Sequence, residues 1–144
     1  MKFPFKEVVF DGGAVIELLL IGEDSLLYKN IAEEKIIPTT TILAIVEAEY
    51  ILCRKLGKEI AFEKVDNLLD SNYFNVVSLD SYRRKLSELK CFNPISLPDC
   101  NTIVIALDLK IPALFARREK EIINQIGKKL FDTKIYFLED FDIA

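Results

Sequence analysis

Histidine is absent from the 144 residues. That absence removes the Ser-His-Asp and Cys-His nucleophiles, a histidine general base and a histidine-ligated zinc together. Any catalysis then rests on carboxylates, lysines, tyrosines or an oxygen-ligated metal. Cysteine is scarce and unpatterned: Cys53, Cys91 and Cys100 are an odd number without CxxC spacing. This argues against a disulfide framework and a zinc knuckle and leaves the three as small core hydrophobes. No apolar run approaches the roughly 20 residues of a membrane span. The opening Met1-Lys2-Phe3-Pro4-Phe5-Lys6 lacks the apolar stretch and small-residue cleavage site of a signal peptide. The expected compartment is the cytoplasm, with no membrane partner. No repeat, low-complexity tract or break in composition divides the chain, so residues 1–144 read as one domain.

What is present is a well-supplied core. Hydrophobic residues make up 51% and charged residues 29% of the chain, enough to fill an interior and solvate an exterior. Nineteen basic against 23 acidic residues leave a net charge of −4, so overall charge does not announce a nucleic-acid binder. The cations are nonetheless clustered, at Arg54-Lys55, Arg83-Arg84-Lys85, Arg117-Arg118 with Lys120, and Lys128-Lys129. Such clusters form local positive ground beside an acidic site, or simply the solvated faces of helices.

Short apolar segments at 6–11, 74–79, 112–115 and 134–138 read as strands. Between them, 14–20, 24–35, 42–56, 59–70, 81–90, 99–110 and 119–127 read as helices, with Pro38-Thr39-Thr40-Thr41 as the lead-in to 42–56. Strands spaced by helices call for a mostly parallel sheet covered on both faces, a three-layer α/β/α fold of four or five strands. In such sheets ligands gather at the carboxyl ends of the strands.

Three acids stand out. Asp11 ends the strand Val8-Val9-Phe10, where it either shapes the turn or holds something at the sheet edge. Glu47 lies in a helix apolar nearly all round, which predicts a buried helix and a carboxylate that is paired, protonated or metal-bound. Arg54, seven residues on, is the plain ion-pair partner. Asp99 follows Ser96 with the spacing of a helix capping box, with Pro98 in the first turn.

Taken together, Val8-Val9-Phe10-Asp11, Glu47 with Tyr50 in "EAEYILCRKLG", and "SLPDCNTIVIALDLKIPALF" resemble the PIN domain. The likeness is strongest to the ribonuclease toxins of prokaryotic toxin–antitoxin pairs, and it runs from Val8 to the last strand. It implies a metal-dependent endoribonuclease in which Asp11, Glu47 and Asp99 meet in one acidic pocket. Asp11 and Asp99 would ligate one or two Mg²⁺ or Mn²⁺ ions, hard cations that suit oxygen ligands. Two departures accompany the likeness. Gly12 and Gly13 stand where the family usually has a Ser or Thr, and no Thr-x-Asp follows the strand at 112–115, leaving Glu119 as the substitute fourth acid. Arg117, Arg118 and Lys120 are expected to meet RNA phosphates. The family also implies a homodimer and a small antitoxin protein. The same departures favour an alternative, a catalytically weakened PIN-like module that binds RNA or protein. A third reading makes the acids caps and ion pairs in a structural protein.

Overall fold

Alternation along the first strand sets the layers. In β1 (Glu7–Phe10), Val8 and Phe10 point to one face of the sheet and Val9 to the other, and all three are fully buried. Helices therefore cover both faces. The computed structural model describes residues 3–127 and 132–144, so the basic pair Lys128-Lys129 lies outside the described residues.

From β1 the chain passes through α1 (Gly12–Ile21) and α2 (Leu26–Ala32) to β2 (Ile37–Thr41), which runs without a loop into α3 (Ile42–Leu56). Then follow α4 (Lys58–Asp70), β3 (Asn75–Val77), α5 (Arg83–Phe92), α6 (Leu97–Leu109), β4 (Ala113–Phe115), α7 (Lys120–Gly127) and β5 (Ile135–Phe137). Short 3-10 turns lie at Asp80–Tyr82 and Leu138–Asp140. The five strands pair in the order β3-β2-β1-β4-β5, all parallel. The fold is the expected three-layer α/β/α arrangement.

The two cores follow the pleat. Val8 and Phe10 pack with side chains of α1 to α4, including Leu18, Leu27, Ile45, Leu52 and Leu68. Val9 packs on the other face with Ile103, Ile105 and Ala106 of α6 and Ile122 of α7. Strand order reverses between β1 and β4, because the chain winds outward from β1 on one side and from β4 on the other. This crevice at the carboxyl ends of β1 and β4 is the topological switch point of the sheet.

Three expectations need correction. Residues 37–41 form an interior strand, β2, rather than a lead-in; Thr39, Thr40 and Thr41 are buried without making an apolar-strand pattern, and the Thr40 and Thr41 hydroxyls are hydrogen-bonded. The helix α3 is not buried all round: Ala44, Ile45, Ala48 and Leu52 face the core, while Ile42, Val46 and Tyr50 form an exposed stripe at four-residue spacing. Among the cysteines only Cys100 is fully buried; Cys53 is half-buried, and Cys91 is exposed on α5, a helix that buries none of its residues. Among the described residues no helix is long and apolar enough to cross a membrane.

Candidate functional site

Each acid reaches the switch point on a different element. Asp11 follows β1 directly, and its amide donates to Leu114 O at 3.0 Å, tying it to the end of β4. Its Oδ1 also accepts the Ala14 amide at 2.7 Å, so Asp11 is the N-cap of α1. The turn-shaping role is thus shown, with Asp11 Oδ1 engaged in the cap at the edge of the sheet. Glu47 comes from α3. Its Oε1 lies so close to Gly12 that a Cβ built there would stand 2.0 Å from it. Only glycine admits the glutamate at this spot, which gives Gly12 a packing reason of its own.

Asp99 opens α6. The N-cap is Ser96, whose Oγ accepts the Asp99 amide at 3.2 Å. The reciprocal half of a capping box, a bond from the Ser96 amide to the Asp99 carboxylate, is missing among the described residues. Asp99 is instead buried, and its Oδ2 has no hydrogen-bond partner among them. One turn further along α6, Thr102 Oγ1 is likewise buried and unpartnered. Glu119, just after β4 and before α7, is exposed but near enough for its charge to act on the other three.

Ionisation records the convergence. Burial raises Asp11 from its ordinary 3.8 to about 8, against the opposing Ala14 hydrogen bond and with help from the charges of Asp99, Glu47 and Glu119. Part of the residue still meets solvent. Burial raises Asp99 to about 7, reinforced first by the charge of Glu119 and later by that of Glu47, against the opposing Ser96 side chain. Glu47 is raised by burial and then by Glu119. Among the described residues, no lysine or arginine enters any of these balances. Arg54, the plain partner for Glu47, stacks 5.1 Å from the Tyr50 ring centre instead, and no ion pair joins it to Glu47 among the described residues.

The three cations near Glu119 differ. Arg118 Nη1 and Nη2 donate to Asp140 at 2.5 and 2.6 Å, Nη1 also donates to Glu139 at 3.0 Å, and the guanidinium lies over Phe137. It is engaged within the chain and braces the segment that carries Glu119. Arg117 is loosely held, 3.8 Å from Glu17, and with Lys120 stays exposed beside the acids in sequence.

The donor set is all carboxylate oxygen, which suits a hard divalent cation. The buried, unpartnered Asp99 Oδ2 and the close seat of Glu47 on Gly12 fit the same ion. Among the described residues, no three acidic side chains form a ready-made ion cage; four carboxyls without a countercharge repel one another, and a cage would require them to turn inward. A cleft of about 450 Å³ between α5 and α6, lined by Leu89, Phe92, Val104 and Leu107, contains none of the four acids. Chemistry rather than volume therefore marks the site. Sequence reasoning missed Gly12 as the seat of Glu47 and Thr102 as a companion of Asp99, although the three-residue spacing on a helix pointed to the latter. The chain matches no protein-family model, and no curated protein matches it.

Proposed function

We propose that the protein is a PIN-like, Mg²⁺- or Mn²⁺-dependent endoribonuclease, with Asp11, Glu47, Asp99 and Glu119 as its acidic site. The observation that carries this reading is a group of four carboxyls, drawn from four chain segments to one switch point, with no cation among the described residues to balance it. Asp11 and Asp99 are the proposed direct ligands; Glu47 and Glu119 complete the negative field. A divalent ion bound there would stabilise charge on a scissile phosphate and acidify a water for attack. The chain's own residues supply the rest. Asp11 is fixed by its cap to α1, Glu47 by its seat on Gly12, and Asp99 by the buried start of α6. Arg117 and Lys120, both exposed, are the proposed contacts to RNA phosphates, while Arg118 braces the loop between them.

A toxin of a toxin–antitoxin pair fits the resemblance, with a small antitoxin as partner. The exposed stripe of Ile42, Val46 and Tyr50 on α3, with Ile60 and Phe62 exposed on α4, favours a homodimer. The second reading, a weakened module that binds RNA or protein, is favoured by the lack of a ready-made cage among the described residues. Cleavage of a labelled RNA in Mn²⁺ by protein freed of contaminating nucleases, abolished by EDTA and by Asp99→Asn, is the result expected. Equal cleavage in EDTA ends the metal mechanism; RNA binding without cleavage supports the second reading.

A further inference from the structure

The helices that carry Glu47 and Asp99 are joined by a buried polar pair that the proposed chemistry does not use. Thr41 ends β2 and caps α3, and Asn101 lies in the first turns of α6, two residues after Asp99; each is 1% exposed. Asn101 Nδ2 donates to Thr41 Oγ1 at 2.9 Å, and its Oδ1 stands 3.1 Å from the same hydroxyl. Thr41 Oγ1 also accepts the Ala44 amide at 3.2 Å, so one oxygen both caps α3 and grips α6.

An asparagine is a costly choice at this point in the packing. Its neighbours on α6, Ile103, Val104, Ile105 and Ala106, are buried apolar residues, and an apolar side chain would bury well here too. What an apolar side chain lacks is direction. A hydrogen-bonded amide fixes both the spacing and the rotation of α6 against the start of α3, and a buried polar pair is worth most when it selects one arrangement. The sheet adds the reference frame. Val9 pairs with Thr39, so Thr41 stands at the level of Asp11 in the neighbouring strand. The pair therefore sits beside the switch point, two residues from Asp99 and nearly two helical turns before Glu47.

We propose that the Thr41–Asn101 pair is a positioning device for the acidic site: it locks the start of α6 to the start of α3 and so sets how tightly the carboxyls of Asp99 and Glu47 can jointly hold a divalent cation. The inference rests on the metal-binding reading above. Residues that orient ligands from behind change metal affinity by about 10- to 100-fold when removed.

The test uses the full chain and Mn²⁺ alone, with free Mn²⁺ read from its electron paramagnetic resonance signal and folding from circular dichroism and urea melts. Asn101→Ala leaves the Thr41 cap intact and is expected to weaken Mn²⁺ binding about tenfold or more. Thr41→Ser keeps the hydroxyl and is expected to bind within about threefold of the parent chain. An Asn101→Ala protein that binds Mn²⁺ like the parent, however much stability it loses, overturns the positioning role. If that variant does not fold, the parent chain decides. On Mg²⁺ titration the Asn101 side-chain amide signals in a nitrogen–proton correlation spectrum should move in step with the Asp99 backbone amide, and Asn101 signals unchanged at saturation overturn the proposal. A parent chain that binds no Mn²⁺ at millimolar concentration overturns the metal reading and this inference together, an outcome distinct from the others.

Discussion

Asp108 and Asp140 sit on the surface beside cations; Asp11 and Asp99 sit at the carboxyl edge of the sheet beside other acids. Lys85 and the Tyr82 hydroxyl hold Asp108, at 2.8 and 2.6 Å, and lower its pKa. Arg118 does the same for Asp140. The acids of the edge are raised by burial and by one another. One side-chain type is thus neutralised locally in one region and left uncompensated in the other. Uncompensated buried charge opposes folding, and the divalent cation proposed above would relieve that opposition at the switch point.

Five measurements would break or sharpen that contrast. The largest effect is expected at the edge, where Asp11→Asn and Asp99→Asn should each lower Mn²⁺-dependent RNA cleavage by about 100-fold or more. The same Asp99→Asn should stabilise the metal-free protein at pH 8 by about 1–2 kcal/mol in urea melts, because it removes a buried charge. Loss of activity together with loss of stability would make Asp99 a structural residue.

Gly12→Ala comes next. Alanine suits a helix better than glycine does, yet its Cβ would meet Glu47 Oε1 at 2.0 Å and Cδ at 2.8 Å. The glutamate must swing away, so a folded variant with cleavage lowered about tenfold is expected, read from initial rates beside circular dichroism. Undiminished cleavage would remove Glu47 from the site.

The pH dependence of stability is a smaller and slower trend. A carboxyl whose pKa is higher in the folded than in the unfolded chain binds its proton more tightly when folded. Its contribution is therefore fully present below the unfolded value of 3.8 and is lost as pH rises, through about 7 for Asp99 and about 8 for Asp11. Thermal melts in EDTA should show the midpoint falling from pH 5 to pH 8, with a shallower fall in Asp99→Asn. A midpoint that rises over that range would contradict the uncompensated cluster. The smallest effect belongs to the surface. Asp108→Asn should leave RNA cleavage unchanged and the denaturation midpoint near that of the parent chain, as exposed ion pairs usually do.

Much of the fold was legible. Apolar runs such as Val8-Val9-Phe10 and Ala113-Leu114-Phe115 are buried on both faces and read as strands of a parallel sheet. β2 was not legible, because Pro38 and three threonines hide an interior strand in which the Thr40 and Thr41 hydroxyls are hydrogen-bonded. An apolar surplus on α3 was legible, but which of its faces stays exposed was not, since an apolar helix does not tell which face another element will cover.

The sequence by itself determined that any chemistry here must do without histidine and without a cysteine pair, which leaves carboxylates, lysines, tyrosines or an oxygen-ligated metal. It also determined the alternation of strands and helices, since the residue periodicities are local. Only the tertiary structure decided that Asp11, Glu47, Asp99 and Glu119 act on one another and that Arg54 and Arg118 turn elsewhere. Those outcomes depend on strand order and on which helix packs beside which. Such long-range choices are settled by packing the whole chain at once, and no window of sequence contains them.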